Sequence, residues 1–244
     1  MKNLVIKNIK TRYAGSALGM LWVIINPLLL SVVVAFIFTE IIKVNIPHFY
    51  LFVISGMLPW SFFSNSLQEA DTSIVANAAL LRQFSLPREF IPLSSVIANF
   101  FIFLSGLVIV LAIVLAVNFK AALILPVLAA VLILHLIFTA GLALLLSSVY
   151  VYLRDLGQFL GVLLMFWLWL TPVFYSLQMV PGKYHLLFRF NPLTPYIDLY
   201  RSVLFDPALF CPRDLLVTFV LSLASFFLGY LTFLKKESGF LKAV

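Results

Sequence analysis

The sequence predicts an all-α integral membrane protein with six transmembrane helices, an amino-terminal amphipathic helix at the membrane interface and re-entrant outer helices between spans five and six. Three observations lead there. Six stretches carry no Asp, Glu, Lys or Arg: they lie between Arg12 and Glu40, Lys43 and Glu69, Glu89 and Lys120, Lys120 and Arg154, Asp155 and Lys183, and Asp214 and Lys235. A helix rising about 1.5 Å per residue crosses a hydrocarbon core roughly 30 Å thick in about 20 apolar residues, and each stretch is that long. The composition agrees, with 64% hydrophobic residues, 10% charged residues and a mean hydropathy of +1.14, where soluble domains carry roughly 25% charge. Third, the short loops share out Lys and Arg unequally between the two sides, as cytoplasmic and external loops do. Six spans occupy about half of the 244 residues, so residues 1–244 read as one membrane domain.

The amino-terminal tail carries Lys2, Lys7, Lys10 and Arg12. The predicted inner loops hold Arg82 and Arg88, then Arg154, then Lys235, Lys236 and Lys242. The outer turns hold Lys43 and Lys120, and only the longer outer segment, with Lys183, Arg189, Arg201 and Arg213, dilutes the asymmetry. Both termini are therefore expected in the cytoplasm.

Residues 1–13 alternate Leu4, Val5, Ile6 and Ile9 with the basic residues, which suits a helix lying among headgroups or simply a topogenic basic tail. The first span, Leu18 to Ile42, carries Trp22 near its inner end and the breaker pair Asn26-Pro27. The second, Phe49 to Gln68, turns polar over Ser64, Asn65 and Ser66, groups that need protein or water beside them. Asp71 to Glu89 is the largest inner loop, helix-prone over Asn77 to Gln83 and stopped at Pro87. Spans three and four, Ile91 to Val117 and Ala121 to Tyr150, are aliphatic packing helices, with His135 expected in a hydrogen-bonded packing role. In the fifth span, Leu156 to Tyr175, a turn of 100° per residue puts Trp167 and Phe174 on one face and Trp169 away from them. Residues 176–214 are too apolar for a solvated loop and too interrupted, by Pro181, Pro192, Pro195, Pro207 and Pro212, for a span, which fits short helices that dip in and return. The sixth, Leu215 to Leu234, holds thirteen strongly apolar residues, worth roughly 6 kcal/mol of insertion.

Several classes are disfavoured. Ion-coupled carriers keep ionisable residues at midplane depth, and all six interiors lack Asp, Glu, Lys and Arg. The chain contains no G-x-x-x-x-G-K-[ST] phosphate loop, so ATP would have to be hydrolysed by another subunit. No ring-forming filter motif suggests a selective channel, and no cluster of acid, base and nucleophile suggests a membrane transferase. The net charge of +7 and pI near 9.6 come from basic residues scattered over both sides, which points to topology and anionic lipid rather than nucleic acid. Cys211 is the only cysteine, and no Cys/His cluster has metal-ligand spacing. The first apolar run starts late and is too long for a cleavable signal core, and is expected to persist as an anchor.

Four stretches carry a likeness: Lys10-Thr11-Arg12-Tyr13 with Leu18-Gly19-Met20-Leu21-Trp22 and Pro27; Asn77 with Leu80-Leu81, Leu86-Pro87-Arg88-Glu89 and Pro92; Arg154-Asp155 followed by Thr171-Pro172-Val173-Phe174-Tyr175; and Asn191-Pro192-Leu193-Thr194-Pro195 with Tyr200-Arg201. In this order, between six spans, the chain resembles the membrane subunits of ATP-binding-cassette exporters of lipid-linked polysaccharide, the O-antigen, capsule and teichoic acid permeases. One departure is Phe84-Ser85-Leu86-Pro87-Arg88, where an aromatic is expected immediately before the proline.

The resemblance implies a homodimer in the bacterial inner membrane, bound to two copies of a separate ATPase that holds ATP and Mg²⁺, with no cofactor in this chain. It implies a polyprenyl-linked glycan as substrate. It also implies that the loop of residues 71–90 docks on the ATPase, with the amino-terminal helix clamped beside it: Lys10, Arg12, Asn77, Leu81, Arg82, Phe84, Pro87 and Arg88 are the coupling candidates. Arg154-Asp155 would stand where the substrate enters, the Arg meeting a pyrophosphate, or would form a helix-end ion pair. Sugars stack their C–H faces on aromatic rings, so Trp22, Trp60, Phe63, Trp167, Phe174 and Tyr175 are candidates for a smooth glycan path, against an ordinary interfacial aromatic belt. Asn191, Pro192, Pro195 and Arg201 would shape the outer exit. An exporter of drugs or other small lipophiles, and a non-transporting assembly scaffold, are the competing expectations.

Overall fold

In a computed structural model, which describes residues 1–13, 22–44, 46–83, 87–117 and 125–243, almost every described residue between the turns is helical and no strand occurs among them. The helices are α1 (Lys2–Tyr13), α2 (Trp22–Phe36, continued by a π-helical turn Ile37–Ile41), α3 (Phe49–Ala76), α4 (Ala78–Gln83), α5 (Phe90–Val117), α6 (Leu125–Tyr150), α7 (Leu156–Leu170), α8 (His185–Phe190), α9 (Thr194–Leu204), α10 (Pro212–Glu237) and α11 (Phe240–Ala243). Three of them, Phe90–Leu115, Leu125–Tyr150 and Pro212–Glu237, are long and apolar enough to cross a membrane; Leu28–Ile41 and Leu156–Leu170 are apolar but shorter.

Local chemistry explains most of the boundaries. Pro92, Pro126, Pro195 and Pro212 stand in the first turns of α5, α6, α9 and α10, where the missing N–H has no intrahelical acceptor to lose. Within the apolar helices the hydroxyls bond back to carbonyls one turn earlier, as in Ser73 to Ala70, Ser94 to Ile91 and Ser147 to Leu144, so few polar groups meet an apolar surround unpaired.

Two boundaries differ from the sequence expectation. The second span was expected to end at Gln68 with a loop from Asp71, but α3 runs on to Ala76, because Asp71, Ser73 and Ile74 are buried against neighbouring helices. The fifth was expected to run to Tyr175, yet α7 ends at Leu170: Pro172 disfavours the helical region for Thr171, which turns extended at φ −99° and ψ 133°. Helical periodicity therefore stops before Phe174, and Trp169 packs on that ring at 5.4 Å instead of facing away from it.

Helix α3 is the hub, packing against α2, α5, α6, α7 and α9, while α10 lies along α6 and α1 along α5. The α6–α10 seam is made of small residues: Ser222 and Ser225 donate to the carbonyls of Leu134 and Phe138 at 2.7 and 2.9 Å, and Gly141 meets Gly229 backbone to backbone. The main core fills the space between α3, α5, α6 and α9, and a second, smaller core closes the end where Ile74, Ile91, Val151 and Phe233 meet. That end, expected to be cytoplasmic, is called inner below. Helix α9 is buried almost throughout, and Tyr196 stacks near Phe138, halfway along α6, at 5.2 Å.

Candidate functional site

The inner face gathers the coupling candidates around α4. Helix α3 stops at Asn77, whose φ of −110° breaks the helix, and Asn77 Nδ2 donates to the Ser73 carbonyl at 2.9 Å. Lys7 of α1 donates to Asn77 Oδ1 at 3.2 Å, and Asn8 Nδ2 reaches Ser94 Oγ of α5 at 3.2 Å, so the amino-terminal helix is fastened to both sides of the loop. In α4, Leu81 is buried in the inner core while Ala79, Arg82 and Gln83 are exposed. Lys10 and Pro87 are exposed; the Arg12 side chain and Phe84 lie outside the described residues.

Arg88 is half-buried and turned toward α10: its guanidinium donates to the Glu237 carbonyl and stands 3.9 Å from the Glu237 carboxylate. A cation at a helix carboxyl end meets both the free carbonyls and the negative end of the dipole. Arg154 and Asp155 are both exposed in the turn between α6 and α7. Close by is a group that composition did not single out, Asp71, which is 2% exposed and lies where a Cβ at Gly157 would stand 3.4 Å from its Oδ2. The Thr72 N–H donates to this carboxylate at 2.5 Å.

The path candidates divide. Trp60, Phe63 and Trp167 pack on one another, with ring centroids 5.3 to 6.5 Å apart, and Trp60 and Phe63 are buried in the main core. Phe174 is also buried, and Tyr175 packs edge-on against Phe188 at 5.9 Å. Trp22 is exposed at the start of α2. The broad exposed aromatic face belongs to α7, through Phe159, Phe166 and Trp169. His135 is enclosed by Phe62 and Tyr196, both at 5.0 Å, and its Nδ1 lies 3.3 Å from the Tyr200 hydroxyl, as a packing histidine should be held.

The outer candidates are structural joints. Asn191 accepts from the Trp167 indole N–H at 2.9 Å and donates to the Leu170 carbonyl and the Thr171 hydroxyl, both at 2.9 Å, tying the end of α7 to the turn before α9. Pro192 is half-buried and Pro195 buried in the first turn of α9. Arg201 is 2% exposed: it donates to the Val173 carbonyl at 2.8 Å, lies 3.7 Å over the Phe52 ring and pairs with Asp198 at 3.8 Å. With Asp206 and Asp214 it lines an outer recess of about 280 Å³. Sequence reading missed Tyr196, whose hydroxyl lies 2.6 Å from Ser222 Oγ, as well as Glu237 and Phe240. Only the i, i+3, i+7 spacing of Ser222, Ser225 and Gly229 hinted that this face of α10 is a packing seam.

The amino-terminal helix is thus fastened to Asn77 at the end of α3 and to Ser94 of α5, with an all-helical bundle behind it. The family described as ABC-2 type transporter matches residues 1–205, which takes in α1 through α9. The chain belongs to that family. It is thus a multi-pass membrane subunit of a transporter and not an enzyme, and this ABC-2 family implies partnership with an ATP-binding-cassette ATPase. Among its relatives is the O-antigen export system permease protein RfbA of Klebsiella pneumoniae, 34% identical over 209 residues, or 83% of this chain and 79% of the relative. A second RfbA from the same organism is 33% identical over 209 residues with the same coverage. The RfbA protein of Myxococcus xanthus is 31% identical over 206 residues, covering 84% and 79% of the two chains.

Proposed function

We propose that this transporter subunit is the permease half of an ATP-driven exporter that moves lipid-linked, O-antigen-like polysaccharide from the cytoplasm across the inner membrane. The observation that carries the reading is the 34% identity to an O-antigen export permease over 83% of the chain. The bundle supports it: two shorter apolar helices, Leu28–Ile41 and Leu156–Leu170, accompany the three longer ones, and in this proposal the 28-residue α3 crosses as the sixth. Both termini are cytoplasmic in this proposal, and residues 176–214 re-enter from outside, which the mid-depth contact of Tyr196 with Phe138 supports.

Two copies of the chain pair through the exposed apolar face of α2 (Leu29, Val32, Val33, Phe36), a surface on which a single copy leaves large side chains uncovered. The glycan passes between the copies. Trp22 and the α7 aromatics are free to stack on sugar, whereas Trp60, Phe63 and Phe174 support that wall from behind. Arg154 meets the pyrophosphate of the polyprenyl carrier at the inner mouth. Two separate ATPase subunits hold ATP and Mg²⁺ and dock on Lys10, Arg82 and the α4 surface, with the chain itself holding no cofactor.

The experiment is to deplete the protein in its native cell and locate the lipid-linked surface glycan by fractionation. Accumulation of polymer on the cytoplasmic side is expected. An unchanged surface glycan with new sensitivity to amphiphilic compounds would overturn the proposal in favour of a small-lipophile exporter.

A further inference from the structure

We infer that the carboxyl-terminal hook, Glu237 to Ala243, is a brace that sets the position of the coupling loop against α6 and α10. Its significance for transport rests on the proposal that α4 docks on the ATPase. The family match stops at residue 205, so the hook lies outside the segment that defines the family.

The geometry is local and specific. After α10 the chain turns back at Ser238-Gly239, where the Tyr152 hydroxyl lies so close that a Cβ at Gly239 would displace it. Tyr152 donates that hydroxyl to the Lys236 carbonyl at 2.9 Å, with the Lys236 ammonium 4.9 Å over the ring, so the turn after α6 is stitched to the last turn of α10. The return drives Phe240 into the inner core, where it is 0% exposed and packs edge-on against Phe233 at 5.2 Å. The same cluster takes in Leu81 of α4. From the other side of the loop, Arg88 grips the Glu237 carbonyl.

Helix α4 has only six residues, too few to persist alone. Its one buried residue is Leu81, which shares the inner cluster with Phe240, and α4 packs against α11. Its flanks are held by Asn77 on α3 and by Arg88 on the hook. Removing the Phe240 ring takes away part of the floor on which α4 rests while leaving its exposed face, Ala79, Arg82 and Gln83, chemically intact. The hook therefore positions a docking surface to which it contributes no residue.

The test uses the full-length chain with its ATPase, isolated from membranes, as wild type, Phe240→Ala, Phe240→Leu and the exposed control Leu187→Ala. Hydrogen exchange by mass spectrometry over residues 78–83 is expected to quicken at least about tenfold in Phe240→Ala. Exchange over α9 should stay unchanged, Phe240→Leu should restore most of the protection, and Leu187→Ala should match wild type. ATPase should still co-isolate with Phe240→Ala, while its turnover ceases to respond to the permease. Exchange over 78–83 that stays at the wild-type rate while residues 237–243 fray would overturn the brace. If Phe240→Ala fails to accumulate, Arg88→Gln gives the same contrast from the other grip, and unchanged exchange over 78–83 there overturns it equally. Faster exchange over 78–83 with turnover fully coupled would support the brace and remove only the assignment of α4 as the docking element.

Discussion

Replacing Gly229 by alanine probes how close α6 and α10 must lie. A Cβ at that position would fall inside the van der Waals surface of the Gly141 carbonyl oxygen and stand 2.7 Å from its carbonyl carbon. These are backbone atoms, so nothing can rotate aside, and the helices must part by about 1.5 Å to regain ordinary contact. At that separation the bonds from Ser222 to Leu134 and from Ser225 to Phe138, now 2.7 and 2.9 Å, stretch past useful length. Such interhelical bonds are worth about 0.6 kcal/mol each on average and up to about 1.7. Overpacking adds about 1–3 kcal/mol, against a gain of about 1 kcal/mol from the better helix former. The net expectation is a loss of about 2–4 kcal/mol. The assay is detergent-titrated unfolding of the full-length chain in mixed micelles, with Gly161→Ala as control, because nothing lies within 4 Å of a Cβ there. Indistinguishable curves for the two variants would refute the reasoning, since α6 and α10 could then separate at no cost.

Asn191→Leu should strand the Trp167 indole N–H and the Leu170 carbonyl, costing about 2–4 kcal/mol, read by thermal unfolding followed through indole fluorescence. Arg88→Glu places a carboxylate beside the Glu237 carbonyl and carboxylate. It should leave the amount of protein in the membrane intact while export of the surface glycan falls at least about tenfold, and normal export would remove Arg88 from the coupling assignment.

Elements with a local cause were legible in the sequence. The helical patch read over Asn77 to Gln83 is α4, Ala78–Gln83, whereas the break at Asn77 and the helix starts at Pro195 and Pro212 went unread although each has a local cause. The end of α7 was readable in the same way from Pro172, but the absence of charge up to Lys183 suggested a longer span. Hydropathy reports the solvent a segment prefers, and only backbone chemistry reports where its helix stops. The polar run Ser64, Asn65 and Ser66 correctly marked a helix that needs protein around it, because Ser64 and Ser66 are buried while Asn65 is exposed.

Aromatic roles were far less legible. A Trp or Phe contributes the same hydropathy whether it lines a path or fills a core, and Trp60, Phe63 and Phe174 are buried while Trp169 and Phe166 are exposed. Arg88 shows the same limit, since its partner Glu237 is 149 positions away and nothing in either local sequence names the other.

The sequence by itself determined that this chain is helical, suited to membrane and unable to hydrolyse ATP through a phosphate loop of its own, because charge, apolar runs and motifs are properties of segments. Tertiary structure alone decided that α3 is the hub, that α9 reaches the middle of the bundle and that the carboxyl-terminal hook underpins α4. Those facts depend on which apolar surfaces meet, and the hydrophobic effect rewards burial without specifying the partner.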